Sequence, residues 1–324
     1  MTIRVFVTRK IPQEGLDLIV NKYEVDVWDD EVPPSTEEII ERANECSGII
    51  TLLSDDISKD LLEQLPNLKV ITQYAVGYDN INVEEATGRG IVVTNTPGVL
   101  TETTADLAWT LMMAASRRLV EADRYVRKRK WDVAWGPQML LGSDIYGSTL
   151  GIVGMGRIGQ AVARRASGFN MRILYVSRSQ NEKIEKDLGA IKVDLPTLLS
   201  ESDIVTLHVP LSAETHHLIG KREFEMMNED SVLVNTSRGK VVDEDALFIA
   251  LNDGQIGSAG LDVFREEPIP KDSPLLELDN VIIAPHIGSA SKRTRATMSL
   301  MCAENLIAAL EGKKPPNIVN PEVL

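Results

Sequence analysis

Thr149-Leu-Gly-Ile-Val153-Gly154-Met-Gly156-Arg-Ile-Gly159-Gln-Ala-Val-Ala-Arg-Arg-Ala166 decides how this chain is read. An apolar run, Leu150–Val153, meets three glycines spaced G-x-G-x-x-G, and a helical pattern follows from Gln160 to Ala166. The glycines alone are a weak signal; the strand before them and the helix after them give the spacing its meaning. In such a unit Gly154 permits the tight turn, Gly156 lets backbone approach a pyrophosphate, and Gly159 lets the helix pack close to the strand. The helix N-terminus adds amide donors and a partial positive charge. Gly154, Met155, Gly156, Arg157, Ile158 and Gly159 are therefore candidate dinucleotide-binding residues. A glycine turn kept only for packing is the alternative.

The following strand, Arg172–Ser177, ends in Tyr175-Val-Ser177-Arg178-Ser179. About 20 residues past the glycine turn, an NAD-binding unit offers Asp or Glu to the ribose hydroxyls. This stretch has neither. Arg178, with Ser177 and Ser179, suits a 2′-phosphate, so NADP(H) is favoured and NAD(H) stays open. A solvated arginine after a strand would leave the missing acid unexplained.

The same alternation runs both ways from the glycine turn. Apolar runs at Asp203–Pro210, Ser231–Ser237, Ser258–Phe264 and Asn280–Pro285 follow it, and Ile3–Thr8, Tyr23–Trp28, Gly48–Leu53, Leu68–Tyr74 and Ile91–Asn95 precede it. Helical patterns lie between them, one opened by a capping box from Ser35 to Glu38. Continuous apolar strands alternating with helices predict parallel sheets covered on both faces, an α/β fold. Glu102–Lys130 reads as one long helix, Trp131–Gly147 as a loop, and Arg293–Glu311 as a final helix stopped by Gly312 and Pro315-Pro316. The 324 residues suffice for two domains at roughly 150 each. Only the second half carries the glycine fingerprint.

Composition narrows the partners. With 34 Lys+Arg against 48 Asp+Glu, the net charge is −14, which argues against nucleic acid or anionic membrane as a partner. A small anionic ligand held by a few local cations is not affected by that balance. No apolar run approaches the ~18 residues of a spanning helix, and MTIRVFVTRK reads as a strand because Arg4 interrupts any signal-peptide core. Two cysteines, Cys46 and Cys302, cannot build a disulfide framework, so a reduced, cytoplasmic compartment is expected. No metal-ligand spacing appears.

Among four histidines, His286 follows the apolar strand Val281–Ala284, and a strand's C-terminal end is where open α/β sheets place ligands. His208 lies within a strand run and reads as a hydrogen-bonded strand-end histidine; His216 and His217 read as exposed. Arg238 ends the strand Val232–Ser237. It reads either as a surface cap or as a site cation whose fork suits a carboxylate. Glu267, after Asp262-Val-Phe-Arg-Glu266, would on its own be a solvated loop acid. Three strand ends carrying Arg, Glu and His could nevertheless converge beside the glycine turn.

With these motifs the chain resembles the D-isomer-specific 2-hydroxyacid dehydrogenases over nearly its whole length, and within them the glyoxylate/hydroxypyruvate reductases. The likeness rests on the glycine turn, Asn235-Thr-Ser-Arg-Gly239, Gly260-Leu-Asp-Val-Phe-Arg-Glu-Glu-Pro268, Pro285-His-Ile-Gly-Ser289 and Val76-Gly-Tyr-Asp-Asn-Ile81. It implies two doubly wound parallel-sheet domains with a cleft between them. One is a discontinuous, flavodoxin-like substrate domain of residues 1–99 and 288–324; the other is a Rossmann cofactor domain of residues 100–287. It further implies that Arg238, Glu267 and His286 are catalytic. Met155–Ile158, Ser177–Ser179, Thr236, Ser237, Arg238, His286, Ile287 and Gly288 would line the cofactor, and Asp262 would meet the nicotinamide amide. Leu53, Val76 and Gly77 would face the substrate, with the amides of Val76 and Gly77 toward its carboxylate.

The implied reaction is reduction of a small 2-oxoacid, glyoxylate or hydroxypyruvate, by hydride from NADPH, with His286 as proton donor, oriented by Glu267, and Arg238 on the carboxylate. A homodimer through the cofactor domain is also implied. Where the reductases often carry a tryptophan in the dimerisation loop, this chain places Met139, either a flexible pocket wall or only interface packing. Dehydrogenases of 2-ketogluconate, D-lactate or 3-phosphoglycerate type are alternatives. So is a dinucleotide-sensing binding protein on the same fold, which would need docking extensions that this chain does not display.

Overall fold

The computed structural model describes residues 2–324; Met1, the first residue of the N-terminal stretch, lies outside them. The chain divides into two compact units, Met1–Leu100 with Ser289–Leu324, and Thr101–Gly288.

The first unit runs β1 (Arg4–Val7), α1 (Gln13–Val20), β2 (Glu24–Val27), α2 (Thr36–Ala43), β3 (Gly48–Thr51), α3 (Lys59–Glu63), β4 (Val70–Gln73), α4 (Val83–Gly88) and β5 (Val92–Thr94). Its sheet has the order β2-β1-β3-β4-β5, with every pairing parallel. Successive strand residues point to opposite faces, and both faces are buried. Phe6, Ile49, Ile71 and Val93 pack with Ile39, Leu61 and Leu62 on one face. Val5, Val7, Ile50 and Val70 pack on the other with Leu16, Ile19 and the C-terminal helix. The Ser35 hydroxyl accepts from Glu38 N while Ser35 N donates to Glu38 Oε2 (2.7 Å), so the capping box forms.

The second unit runs α5 (Thr101–Ser116), α6 (Leu119–Arg127), β6 (Thr149–Val153), α7 (Arg157–Ala166), β7 (Arg172–Val176), α8 (Glu182–Leu188), β8 (Ile191–Lys192), α9 (Leu195–Glu201), β9 (Ile204–Leu207), α10 (Lys221–Phe224), β10 (Val232–Asn235), α11 (Glu244–Asn252), β11 (Ser258–Leu261) and β12 (Val281–Ile283). Seven parallel strands lie in the order β12-β11-β10-β9-β6-β7-β8. The order reverses between β6 and β9, so the glycine turn after β6 sits at a topological switch point, where such sheets bind ligands. The chain then returns to the first unit as α12 (Lys292–Leu310).

The structure departs from the sequence expectation in three places. The single helix expected over Glu102–Lys130 is two: Arg118 takes a left-handed φ of 50°, and the Ser116 carbonyl accepts from Ser143 N (2.8 Å). The two-residue strand β8 was not expected, because two residues are too few to show a period. Each crossing between units falls one residue later than the implied boundaries. Leu100 packs against the core of the first unit, and Gly288 N is held by Asp262 Oδ2 (2.8 Å) in the second.

Candidate active site

In the second unit the site is built at the C-terminal ends of β6, β7, β10, β11 and β12. Gly154 sits at φ 103°, and a Cβ there would lie 2.5 Å from the His208 carbonyl oxygen. A Cβ on Gly159 would lie 2.1 Å from the Gly154 carbonyl oxygen, so α7 approaches the turn as closely as backbone allows. Gly156, by contrast, faces open space. No side chain caps α7 and no acid occupies its first turn, which leaves its amide end to an anion. Met155 is buried, Ile158 half-buried and Arg157 exposed.

Beyond β7, Ser177 is half-buried, and Arg178 and Ser179 are exposed. Lys192 Nζ reaches the Arg178 carbonyl (3.5 Å). Beyond β10, Asn235 folds the turn: its Oδ1 accepts from Ser237 N and Oγ, and its Nδ2 donates to the Arg238 carbonyl (2.9 Å). The half-buried Arg238 donates from Nη1 to the Ser237 carbonyl (2.8 Å). The Thr236 hydroxyl is buried and meets no hydrogen-bond partner in the chain. That orphaned group, and the open space at Gly156, fit a bound dinucleotide.

Asp262, at the end of β11, governs the turn after β12. Its carbonyl accepts from His286 N (2.9 Å), and its carboxylate oxygens accept from Ile287 N (2.7 Å) and Gly288 N (2.8 Å). Three successive amides are thus held by one residue, and His286 is fixed in the left-handed region at φ 52°, a conformation that only surrounding contacts sustain. Burial pushes the Asp262 carboxyl up to about 6, against the lowering effect of the Ile287 amide, the His286 charge and the Gly288 amide.

His286 Nδ1 donates to Glu267 Oε2 (2.7 Å), and Glu267 Oε1 accepts from Phe264 N (3.0 Å). Both carboxylate oxygens are therefore committed, and Nε2 is the ring nitrogen left for other work. Burial drives Glu267 upward, but the His286 hydrogen bond and charge, the Phe264 amide and the Arg238 charge hold it below the usual carboxylate range. His286 and Arg238 thus both act on Glu267, which lies exposed in its loop yet is held at both oxygens rather than simply solvated. Glu244 accepts from Arg265 N and holds the same loop.

Sequence reasoning missed Asn235 and Glu244. An Asx turn after a strand was a readable signal for the first; for the second there was none. His208 meets Thr206 Oγ1 through Nε2 (2.9 Å), and its Nδ1 is buried and unpartnered. Met139 is not brought to these strand ends. It lines an apolar hollow of about 250 Å³ with Tyr125, Val126, Trp131 and Trp135.

In the first unit, Leu53 lies in the loop after β3, and Val76 and Gly77 in the loop after β4, all half-buried. The Val76 carbonyl accepts from Asn95 Nδ2 (2.7 Å) and the Gly77 carbonyl from Gln73 Nε2 (3.4 Å).

Residues 109–288 match the family described as D-isomer specific 2-hydroxyacid dehydrogenase, NAD binding domain. Over the whole chain and 98% of its own length, a glyoxylate reductase of Korarchaeum cryptofilum is 60% identical. A solved structure from Thermus thermophilus superposes with a TM-score of 0.92 at 45% identity, covering 98% of this chain and all of that one. The NADPH-dependent glyoxylate/hydroxypyruvate reductase of Sinorhizobium meliloti, solved with NADP and malonate, gives 0.87 at 33% identity, covering 100% and 98%. Fold and likeness together define an oxidoreductase that works with a nicotinamide dinucleotide. Within that class, the chain belongs to the D-isomer-specific 2-hydroxyacid dehydrogenase family. Among the described residues, no helix is long and apolar enough to cross a membrane.

Proposed function

We propose that this enzyme reduces a small 2-oxoacid, glyoxylate or hydroxypyruvate, to the 2-hydroxyacid, with NADP(H) preferred. The observation that carries the reading is the Glu267–His286 pair, with the Arg238 charge upon it, at strand ends beside the glycine turn. When bound, the reduced nicotinamide supplies a hydride to the carbonyl carbon. The amide end of α7 and Arg157 hold the pyrophosphate; Ser177, Arg178 and Ser179 hold the 2′-phosphate; Thr236, Ser237, Ile287 and Gly288 line the remainder, and Asp262 meets the carboxamide.

His286, as imidazolium, gives its Nε2 proton to the carbonyl oxygen as negative charge develops there. Glu267 fixes the ring through Nδ1 and supports its positive charge. Arg238 holds the substrate carboxylate and polarises the carbonyl. The amides of Val76 and Gly77 also take the carboxylate, with Leu53 against the substrate. In the oxidative direction His286 receives the proton. The exposed apolar side chains of Leu119, Trp131, Val133, Trp135, Leu141 and Tyr146 support a homodimer through the cofactor unit, with Met139 in that interface. Two free, buried cysteines fit a reduced cytoplasmic setting.

A steady-state screen of 2-oxoacids against NADPH and NADH, on the wild type and Arg178→Asp, tests the reading. Turnover of glyoxylate or hydroxypyruvate with NADPH is expected, with Arg178→Asp shifting preference toward NADH. Inertness toward every 2-oxoacid refutes the activity. An unchanged cofactor ratio in the variant refutes the phosphate role.

A further inference from the structure

The parallel register sets Thr51 beside Gln73 at the last positions of β3 and β4. Both side chains are fully buried, where an unpaired amide would be costly. Thr51 Oγ1 donates to Gln73 Oε1 (2.7 Å), and Gln73 Nε2 donates to Asn80 Oδ1 (2.8 Å) as well as to the Gly77 carbonyl. Asn80 Nδ2 in turn donates to the carbonyls of Leu52 (3.0 Å) and Asp55 (2.7 Å). The buried Asp55 carboxylate accepts from Leu52 N (2.7 Å) and from Thr8 Oγ1 (2.5 Å), just past β1. One relay therefore ties the loops after β1, β3 and β4 at the sheet's C-terminal edge. In the order β2-β1-β3-β4-β5 the switch point lies between β1 and β3, so the relay crosses it. It joins the backbone on either side of Leu53 to the Val76–Asn80 loop, whose carbonyls at Val76 and Gly77 are both tied back.

We infer that Gln73 and Asn80 are positioning residues that fix the distance from Leu53 to the Val76–Gly77 amides, and thereby set which size of 2-oxoacid is accepted. The inference rests on the proposed role of those amides toward a substrate carboxylate. Neither amide side chain has an N–H left to offer a substrate carboxylate: both Nε2 protons of Gln73 and both Nδ2 protons of Asn80 are donated to the chain itself.

The test compares Asn80→Ala and Gln73→Met with wild type. It reads KM and kcat for glyoxylate and hydroxypyruvate, inhibition by the carboxylate analogue oxamate, and thermal unfolding. Loosening the cradle is expected to raise glyoxylate KM and the oxamate inhibition constant about tenfold, with kcat within about threefold and the glyoxylate-to-hydroxypyruvate efficiency ratio shifted. A loss confined to melting temperature or kcat, with KM, oxamate inhibition and the ratio unmoved, means the relay is structural only and overturns the inference. If Asn80→Ala does not fold, Gln73→Met decides, because it leaves the Asn80 bonds to Leu52 and Asp55 in place. Wild-type turnover, measured first, separates failure of this inference from failure of the activity on which it rests.

Discussion

Glu267 is acidic against the pull of its own burial, and His286 supplies most of what keeps it so. Removing the imidazole has two separable consequences. With His286→Ala, kcat for 2-oxoacid reduction is expected to fall at least ~10²-fold, as for loss of a general acid. The hydrogen bond and charge that hold Glu267 low are then gone, and its carboxyl moves upward from its wild-type value. In the wild type, the lowered Glu267 contributes stability that is present at neutral pH and lost as pH falls through its folded value; in the variant that contribution shrinks, and with it the loss of stability in acid. Urea midpoints at pH 4 and pH 7 for both proteins check this, and parallel pH dependences would remove the pairing from the argument. The residues of this site were legible to different degrees. Arg238 and His286 stand where apolar strands end, a position with a physical meaning. Glu267 needed the family likeness, since a loop acid has no period. Gln73 left no trace, and Asn80 stood only inside the Val76–Ile81 motif with no role legible: a buried amide is recognised by its partners, and those lie on β3 and β4 and in the loops after them.

At the scale of elements, the start of α7 carries two glycines with opposite demands, Gly156 at its N-terminus and Gly159 in its first turn. A side chain at Gly159 would collide with the Gly154 carbonyl, which belongs to backbone and cannot swing away, whereas a side chain at Gly156 meets nothing in the chain. Gly159→Val is therefore expected to cost on the order of 1–3 kcal/mol, the usual penalty of forcing atoms into a packed interior. Gly156→Val should melt close to wild type yet, on the proposed cofactor site, lose affinity for 2′,5′-ADP through its 5′-phosphate. Calorimetric melting and 2′,5′-ADP titration on both variants distinguish packing from binding; equal melting temperatures would refute the packing role of Gly159. Parallel strands were readable because both faces are buried and the apolar run is unbroken. The break between α5 and α6 was not. The Ser116 carbonyl is taken by Ser143, a tertiary contact, and Arg118 carries no sequence mark of a left-handed residue.

For the whole molecule, the net charge of −14 makes placed positive charge the scarce quantity, yet two buried titrating groups shape the acid response independently of that surface balance. Burial pushes His208 down to about 3, with its Nδ1 enclosed although the residue keeps some exposed surface. An unfolded histidine takes up its proton near ~6.5. Between those values the unfolded chain binds the extra proton, so this residue makes stability fall as pH falls. Asp262 works in the other direction. Folded, it keeps its proton up to about 6, while an unfolded carboxyl releases it near ~3.9, so its contribution is present in acid and lost as pH rises through that window. From about pH 4 to pH 6 the two slopes oppose each other, and above pH 6 only the histidine remains. His208→Gln keeps a partner for Thr206 and removes the histidine slope. The difference in unfolding midpoint, variant minus wild type, is therefore expected to become more positive as pH is lowered from 7 to 4.5. Urea titrations across that range measure it; a difference that stays constant with pH would mean that His208 is not held neutral in the folded protein.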